Sequence, residues 1–179
     1  MIKWLLTAVV VGLALVLWRM ASATKENLPS AGDDAPPFEL PDQDKRLHSN
    51  GEFRGKWLVL YFYPRDETPG CIEQARAFRD EASKLSKLGA AVCGVSVDDS
   101  NSHAEFARTH ELPFTLLADA GGATAARYGS LWNFGFIKLA KRNTFLIDPR
   151  GKVARVYLGV DPGRNAANVV KDLTLLQKQ

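Results

Sequence analysis

One cysteine, Cys71, stands where a nucleophilic thiolate could form. It closes the segment PRDETPGC, residues 64–71, which lies between the apolar run Trp57–Tyr63 and an amphipathic stretch that begins near Ile72. The N-terminus of a helix offers unpaired N–H groups and the positive end of the helix dipole, and both favour a thiolate over a thiol. A turn rich in proline and glycine is also a poor place for a packing residue. We therefore predict that Cys71 is a reactive nucleophile and not a small buried hydrophobic residue.

The residues before Cys71 have types that suit such a nucleophile. Thr68 lies three residues earlier and can bring a hydroxyl next to the sulfur. Pro64 and Pro69 stiffen the turn and carry no backbone N–H. They would shield the sulfur without competing for its hydrogen bonds.

Apolar patterning predicts the elements that hold this turn in place. Continuous apolar runs indicate buried strands, whereas apolar residues spaced by three or four indicate helices. We expect strands at 38–40, 46–48, 57–63, 91–97, 115–118, 143–147 and 153–158, and helices at 72–88, 102–109, 123–128 and 165–175. Early crossovers and a late hairpin through Asp148–Gly151 predict an α/β fold of thioredoxin-like type, with a mixed central sheet and helices on both faces.

The motif around Cys71 resembles that of a known family. Residues 64–71 match the pattern Pro-x-x-x-Thr-x-x-Cys of peroxiredoxins. The longer run YFYPRDETPGC, followed by FRD at 78–80, resembles the peroxiredoxin Q branch, also called bacterioferritin comigratory protein. The resemblance continues through RNTFLIDP at 142–149 and covers about residues 34–178.

The resemblance implies a peroxidase and a role for each motif residue. Cys71 resembles the peroxidatic cysteine, which attacks the O–O bond of hydrogen peroxide or an organic hydroperoxide and becomes a sulfenic acid. Thr68 resembles the hydroxyl that orients the peroxide, and Pro64 resembles the shielding proline. Arg142 resembles the arginine that holds sulfur and peroxide together and stabilises the developing negative charge. No metal, haem or flavin is implied.

The chain departs from this branch at the second cysteine. Many members carry a resolving cysteine five residues after the peroxidatic one, and here that position is Arg76. The other thiol, Cys93, lies in the apolar strand AVCGVSV, where a buried packing residue is expected. Cys93 could resolve Cys71 only if the helix unwinds or the two sulfurs already face each other. The default prediction is a one-cysteine mechanism that uses an external thiol or a thioredoxin-like reductant.

Two other functions remain open at this point. A membrane-tethered thioredoxin-like thiol–disulfide oxidoreductase would share the fold, but it needs Cys-x-x-Cys, and Thr68 occupies the first of those positions. A non-catalytic binding module would also keep the fold, and it would consume no peroxide.

Composition excludes several other classes. Of the 179 residues, 46% are hydrophobic and 24% charged, which is typical of a globular protein. The net charge is +3, and residues 25–179 are close to neutral, so no nucleic-acid partner is expected. Two cysteines and three histidines fit no standard zinc spacing. His103 and His110 are expected at the surface, and the apolar stretch Leu131–Ile137 is expected to be a lid, a subunit contact or internal packing.

The first 23 residues predict export. Residues 4–18 are almost entirely apolar and lie between Lys3 and Arg19, as in an uncleaved membrane anchor or a cleaved signal. Both alternatives predict an exported protein, either membrane-anchored and facing the periplasm or free in the periplasm. We expect a flexible linker at 24–37 and the peroxiredoxin domain at 38–179. This domain is expected to be a monomer.

Overall fold

The apolar run after residue 56 forms the central strand of a five-stranded sheet in the computed structural model, which describes residues 28–178. The strands are β1 (Glu39–Pro41), β2 (Leu47–Ser49), β3 (Trp57–Phe62), β4 (Ala90–Ser96), β5 (Thr115–Ala118), β6 (Leu131–Asn133), β7 (Lys138–Ala140), β8 (Thr144–Ile147) and β9 (Val153–Tyr157). The helices are α1 (Pro69–Lys87), α2 (Ser100–Thr109), α3 (Ala123–Arg127) and α4 (Asn165–Leu176), with a 3-10 turn at Asn50–Phe53.

The main sheet is mixed, as the order of elements predicts. Its strand order is β5-β4-β3-β8-β9. The strands β3, β4 and β5 are parallel, whereas β8 and β9 run antiparallel to their neighbours. The parallel crossovers place the carboxyl end of β3, and with it the turn at 64–68, at one edge of the sheet.

Alternation along the strands divides the core into two layers. Val59 and Tyr61 of β3 pack with α1, α4 and Phe106 of α2 on one face. Leu60 and Phe62 pack on the other face with α3 and the hairpin β1–β2. Gly94 of β4 makes room for the first layer, because a Cβ there would lie 2.7 Å from the Tyr61 hydroxyl.

The predicted N-terminal helix of residues 1–23 lies outside the described residues, and the described part of the predicted linker is not a free tether. Gly32 N–H donates to the carbonyl oxygen of Val153 at 2.8 Å, and Ala35 N–H donates to that of Gly151 at 2.9 Å. The carbonyl of Pro36 accepts from the buried Tyr128 hydroxyl at 2.8 Å. From residue 28 onward, this segment therefore satisfies backbone groups on the domain.

Two further local predictions need correction. The predicted helix start at residue 102 is wrong, because α2 begins at Ser100 and the Asp99 carboxylate accepts from the N–H groups of Asn101 and Ser102. The stretch Leu131–Ile137 forms most of the hairpin β6–β7. Leu131 packs at its base, but Phe136 at its tip is 94% exposed, so internal packing accounts for only part of this stretch.

An ion-pair cluster centred on His48 of β2 predicts a pH-dependent contribution to stability. The two ring nitrogens of His48 lie 2.8 Å from carboxylate oxygens of Asp42 and Glu52. Partial burial opposes the charge, but hydrogen bonds to these carboxylates outweigh it and raise the pKa of His48 above its ordinary value of 6.5. The stabilisation is therefore complete below that ordinary value and is lost as pH rises through the raised pKa.

We expect His48→Gln to lower the free energy of unfolding by about 0.5–1 kcal/mol near pH 6, and by less near pH 9. Urea unfolding of both proteins at the two pH values measures this difference. A loss of stability that is equal at both values would contradict the charged pairing.

Candidate active site

The turn that follows β3 delivers Cys71 to the start of a helix. Thr68 is the N-cap of α1 with extended backbone angles, and Pro69 occupies the first helical position, which proline favours. Cys71 is the third helical residue, and its N–H donates to the carbonyl of Thr68 at 2.9 Å. Cys71 was expected in or just before the first helical turn, and it lies within that turn because the helix begins at Pro69 and not at Ile72.

The sulfur lies in a buried, mostly apolar setting. Cys71 is 1% exposed and packs in the layer that contains Tyr61, Ala75 and Phe78. Such surroundings disfavour an uncompensated negative charge. A reactive thiolate at this position therefore requires a nearby cation or hydrogen-bond donors.

Arg142 supplies that cation. Its Nη2 donates to Cys71 Sγ at 3.4 Å, and its Nη1 donates to the carbonyl of Gly70 at 3.2 Å and to Gln74 Oε1 at 2.7 Å. Glycine at residue 70 leaves room for this approach, because a Cβ there would lie 3.2 Å from Nη2 and would press on the guanidinium. The structure thus brings together two of the sequence-predicted residues, Cys71 and Arg142, across 71 positions of the chain.

Three cations, Lys138, Lys141 and Arg142, lie close together in the sequence but separate in space. Lys138 Nζ donates to the carbonyl of Gly121 at 2.9 Å, and Lys141 Nζ donates to that of Gly129 at 3.2 Å. Both lysines thus engage backbone carbonyls of the segment 121–129. Of the three cations, Arg142 is the one that bonds the sulfur.

The other two motif residues lie close to Cys71 in the chain but make different contacts. Pro64 lies two residues beyond the end of the central strand and is half-buried. Thr68 Oγ1 donates to the carbonyl of Arg65 at 3.0 Å. A hydroxyl has one proton to donate, so in this structure Thr68 does not direct it at the sulfur.

Two histidines that were predicted to lie at the surface contact the turn from α2 and its C-terminal end. His103 and His110 are buried, at 0% and 5% exposure, so the surface prediction for both is wrong. Their spacing with Phe106 puts all three on one helix face, a signal that would have predicted burial. His103 Nδ1 lies 2.9 Å from Asp66 Oδ2 and Nε2 lies 3.2 Å from the carbonyl of Leu117.

The turn carboxylate Asp66 is the centre of this contact. It accepts from the Tyr63 hydroxyl at 2.8 Å and from the Ser102 hydroxyl at 2.7 Å. Burial opposes its ionisation, but the hydrogen bonds from His103 and these two hydroxyls outweigh that effect and hold the pKa of Asp66 below its ordinary value. The turn is thus anchored to α2 by a buried charged group.

A second contact fastens α1 itself. Arg76 Nη2 lies 3.2 Å from His110 Nδ1, and His110 Nε2 lies 3.2 Å from Glu67 Oε2. A guanidinium only donates, so His110 Nδ1 accepts and its proton lies on Nε2. The residue that stands at the usual resolving position therefore joins α1, the end of α2 and the turn.

Cys93 lies on the far face of the sheet from Cys71. It pairs with Leu60 in the register of β3 and β4, and it packs with Leu60 and Phe62 in the second core layer. Cys71 packs in the first layer. Burial raises the pKa of the Cys93 thiol well above its ordinary value, so Cys93 is a neutral thiol at physiological pH.

A family model and the related proteins all assign this chain to the same family. The model of the AhpC/TSA family matches residues 31–156. Peroxiredoxin Q, chloroplastic, of Oryza sativa subsp. japonica is 47% identical over 128 residues, which cover 72% of this chain and 58% of the rice protein. A putative peroxiredoxin bcp of Coxiella burnetii is 41% identical over 143 residues, covering 78% of this chain and 95% of that protein.

A solved structure supports the fold as well. The crystal structure of peroxidoxin BcpB from Mycobacterium tuberculosis superposes with a TM-score of 0.79 at 32% identity, covering 83% of this chain and 98% of that one. The thioredoxin-like fold predicted from the element order is confirmed. The chain spans less than two thirds of the rice protein's length.

The comparisons overturn the predicted location. The rice relative is named as chloroplastic and the Coxiella relative as a putative peroxiredoxin bcp, and neither name describes a periplasmic or membrane-anchored protein. Within residues 28–178, no helix has both the length and the apolar character needed to cross a bilayer. The location printed for the rice relative contradicts the prediction of an exported protein, anchored facing the periplasm or free in it.

Proposed function

Because this chain belongs to the AhpC/TSA family, we propose that it is a thiol-dependent peroxidase that reduces hydrogen peroxide and organic hydroperoxides at Cys71. The observation that carries the proposal is the contact between Arg142 Nη2 and Cys71 Sγ at the first turn of α1. A fixed cation beside a helix N-terminal sulfur favours the thiolate, which is the reactive form. The buried setting keeps that interaction poorly screened by water.

The proposed first half-reaction oxidises the sulfur. The Cys71 thiolate attacks one peroxide oxygen, an S–O bond forms and the O–O bond breaks. The leaving oxygen takes up a proton and departs as water or an alcohol, and Cys71 becomes a sulfenic acid. Arg142 stabilises the charge that develops on the leaving oxygen, and Pro64 shields the sulfur. Thr68 orients the peroxide once its hydroxyl turns away from the Arg65 carbonyl.

The proposed second half-reaction uses thiols from outside the chain. One thiol attacks the sulfenic sulfur, which releases water and leaves a mixed disulfide. A second thiol attacks that disulfide, which releases the oxidised reductant and restores Cys71. In total, one peroxide and two thiols give one disulfide, one water, and either an alcohol or a second water. We propose a thioredoxin-like protein as the reductant.

The placement of Cys93 supports the one-cysteine form of this cycle. The sheet lies between Cys93 and Cys71, and no standard disulfide forms between side chains that point away from each other. Arg76 occupies the position of the usual resolving thiol. We further propose that the chain works as a monomer, since the groups that meet at Cys71 come from one chain; sedimentation equilibrium would check this.

The test of the proposed function is peroxide consumption by the full chain, with and without dithiothreitol. We expect one equivalent of hydrogen peroxide to be consumed without a reductant, and continuous turnover with it. A protein with all its thiols reduced that consumes no peroxide would contradict the assignment and favour a non-catalytic binding module.

The one-cysteine form predicts that Cys93 is dispensable. We expect Cys93→Ala to keep dithiothreitol-supported turnover within about twofold of wild type, while it loses about 1 kcal/mol of stability because a buried group is removed. Steady-state peroxide consumption and urea unfolding measure the two effects. A large loss of turnover in a folded variant would restore Cys93 as the resolving residue.

A further inference from the structure

Two buried side-chain amides, Gln74 and Asn165, lie behind Arg142. The arginine determines which atom of the Gln74 amide faces it. A guanidinium donates hydrogen bonds and accepts none. The atom of Gln74 that faces Arg142 at 2.7 Å must therefore be the carbonyl oxygen Oε1. It follows that the other amide atom of Gln74, Nε2, is a donor and needs an acceptor.

Asn165 provides that acceptor. Its Oδ1 lies 3.0 Å from Gln74 Nε2 and also accepts from the Thr144 hydroxyl at 2.8 Å. Gln74, Thr144 and Asn165 are all at most 1% exposed. The Nδ2 of Asn165 has no hydrogen-bond partner among the described residues. Asn165 therefore serves this cluster as an acceptor, and its own donor is left unused.

The contact at Asn165 joins segments that are far apart in the sequence. It is the first residue of α4, and 91 positions separate it from Gln74. Thr144 begins β8, two residues after Arg142. A buried amide with an unpaired donor costs free energy, so packing alone does not explain an asparagine here.

We propose that Asn165 is a positioning residue: by accepting from Gln74, it holds the Gln74 oxygen toward Arg142 and so keeps Arg142 Nη2 on Cys71 Sγ. The proposal rests on the peroxidase function proposed above and adds a residue that touches neither the sulfur nor the peroxide. Without an acceptor at position 165, the Gln74 amide is free to turn and present its N–H₂ to Arg142. Two donors would then face each other, and the guanidinium would leave the sulfur.

Two substitutions of similar shape separate this role from packing. Asn165→Leu removes the acceptor and keeps the volume, whereas Asn165→Asp keeps the acceptor oxygens and removes the unpaired donor. If Asn165 positions Arg142, the leucine variant loses more peroxide reaction rate and more thiolate than the aspartate variant. If Asn165 only fills space, the leucine variant is tolerated and the aspartate variant suffers from a buried charge. Asn168→Leu, an exposed site on the same helix, is the matched control.

The experiment has two readouts on the full chain. The first is the rate of reaction with hydrogen peroxide in a single turnover. The second is the thiolate fraction at neutral pH, from ultraviolet absorbance, to which the neutral Cys93 thiol does not contribute. We expect Asn165→Leu to lose about ten- to a hundredfold in the rate of reaction with peroxide, as for a catalytic group displaced by about 1 Å. Its thiolate fraction should fall as well. Asn165→Asp should stay closer to wild type and Asn168→Leu should match it.

Either of two results would overturn the proposal: a leucine variant with wild-type rate and thiolate fraction, or an aspartate variant worse than the leucine variant. Circular dichroism checks folding, and Asn165→Ala, which also lacks the acceptor, replaces the leucine variant if that one does not fold. If wild type itself does not react with peroxide, the peroxidase function fails. The thiolate fractions then still test whether Asn165 holds Arg142 on the sulfur.

Discussion

Replacing Cys71 by serine reduces peroxide consumption to the uncatalysed rate. A serine hydroxyl is not ionised at neutral pH and is a far weaker nucleophile than a thiolate, so the O–O bond is not attacked. The change is close to isosteric, and the site at the N-terminus of α1 should keep its fold. Peroxide consumption with dithiothreitol measures the loss, and circular dichroism confirms folding.

The matched control for this prediction is Cys93→Ala, which removes the other thiol and leaves Cys71 in place. Retention of activity there shows that loss of a thiol as such is not the cause. Turnover above the uncatalysed rate in Cys71→Ser would contradict the role of Cys71. It would also redirect attention to Cys93, the remaining thiol.

Replacing Arg142 by alanine has the next largest effect. We expect the rate of the reaction with peroxide to fall by about 10²–10³, the usual cost of removing one donor that stabilises a developing oxyanion. The thiolate fraction at neutral pH should fall too, because the cation that bonds Sγ is lost. Stopped-flow kinetics and ultraviolet absorbance measure the two effects.

Two variants sharpen the Arg142 prediction. Arg142→Lys keeps the charge but lacks the fork that bonds Gly70, Gln74 and Cys71 together, so partial activity is expected. Lys141→Ala removes the adjacent cation, whose Nζ bonds the carbonyl of Gly129, and it should behave as wild type. A wild-type rate in Arg142→Ala would contradict the role of the guanidinium.

The residue pattern of one segment was enough to predict that Cys71 lies at the start of a helix. The apolar run before Pro64, the turn rich in proline and glycine and the periodic stretch after Ile72 are features of one segment. Their consequence, a cysteine in the first helical turn, depends on no distant contact. The family motif added the roles of Thr68 and Arg142, which periodicity could not supply.

Contacts between distant segments were harder to predict. Arg142 reaches Cys71 because β8 pairs with β3, with Thr144 opposite Tyr61 and Phe62 N–H donating to the carbonyl of Asn143 at 2.7 Å. That register depends on the whole sheet. Asn165 was missed for the same reason, since an amide at a helix start gives no sign of which buried group it will face.

The two buried groups that the sequence analysis left open or misplaced differ in how they could have been predicted. Alternation shows that Cys93 and Val92 face opposite sides of β4, but only the register with β3 puts Cys93 on the face of Leu60 and away from Cys71. The spacing of His103 and His110 with Phe106 indicated a buried helix face. The histidine spacing is short-range and was available from the sequence, whereas the register that places Cys93 was not.

The most direct test of the central claim is the intact mass of the reduced full chain after one equivalent of hydrogen peroxide, without reductant and with dimedone present. A one-cysteine peroxidase predicts a single dimedone adduct, located at Cys71, in wild type and in Cys93→Ala alike. A loss of two hydrogens in wild type that Cys93→Ala abolishes would contradict it, because Cys93 would then have formed a disulfide with Cys71 from across the sheet.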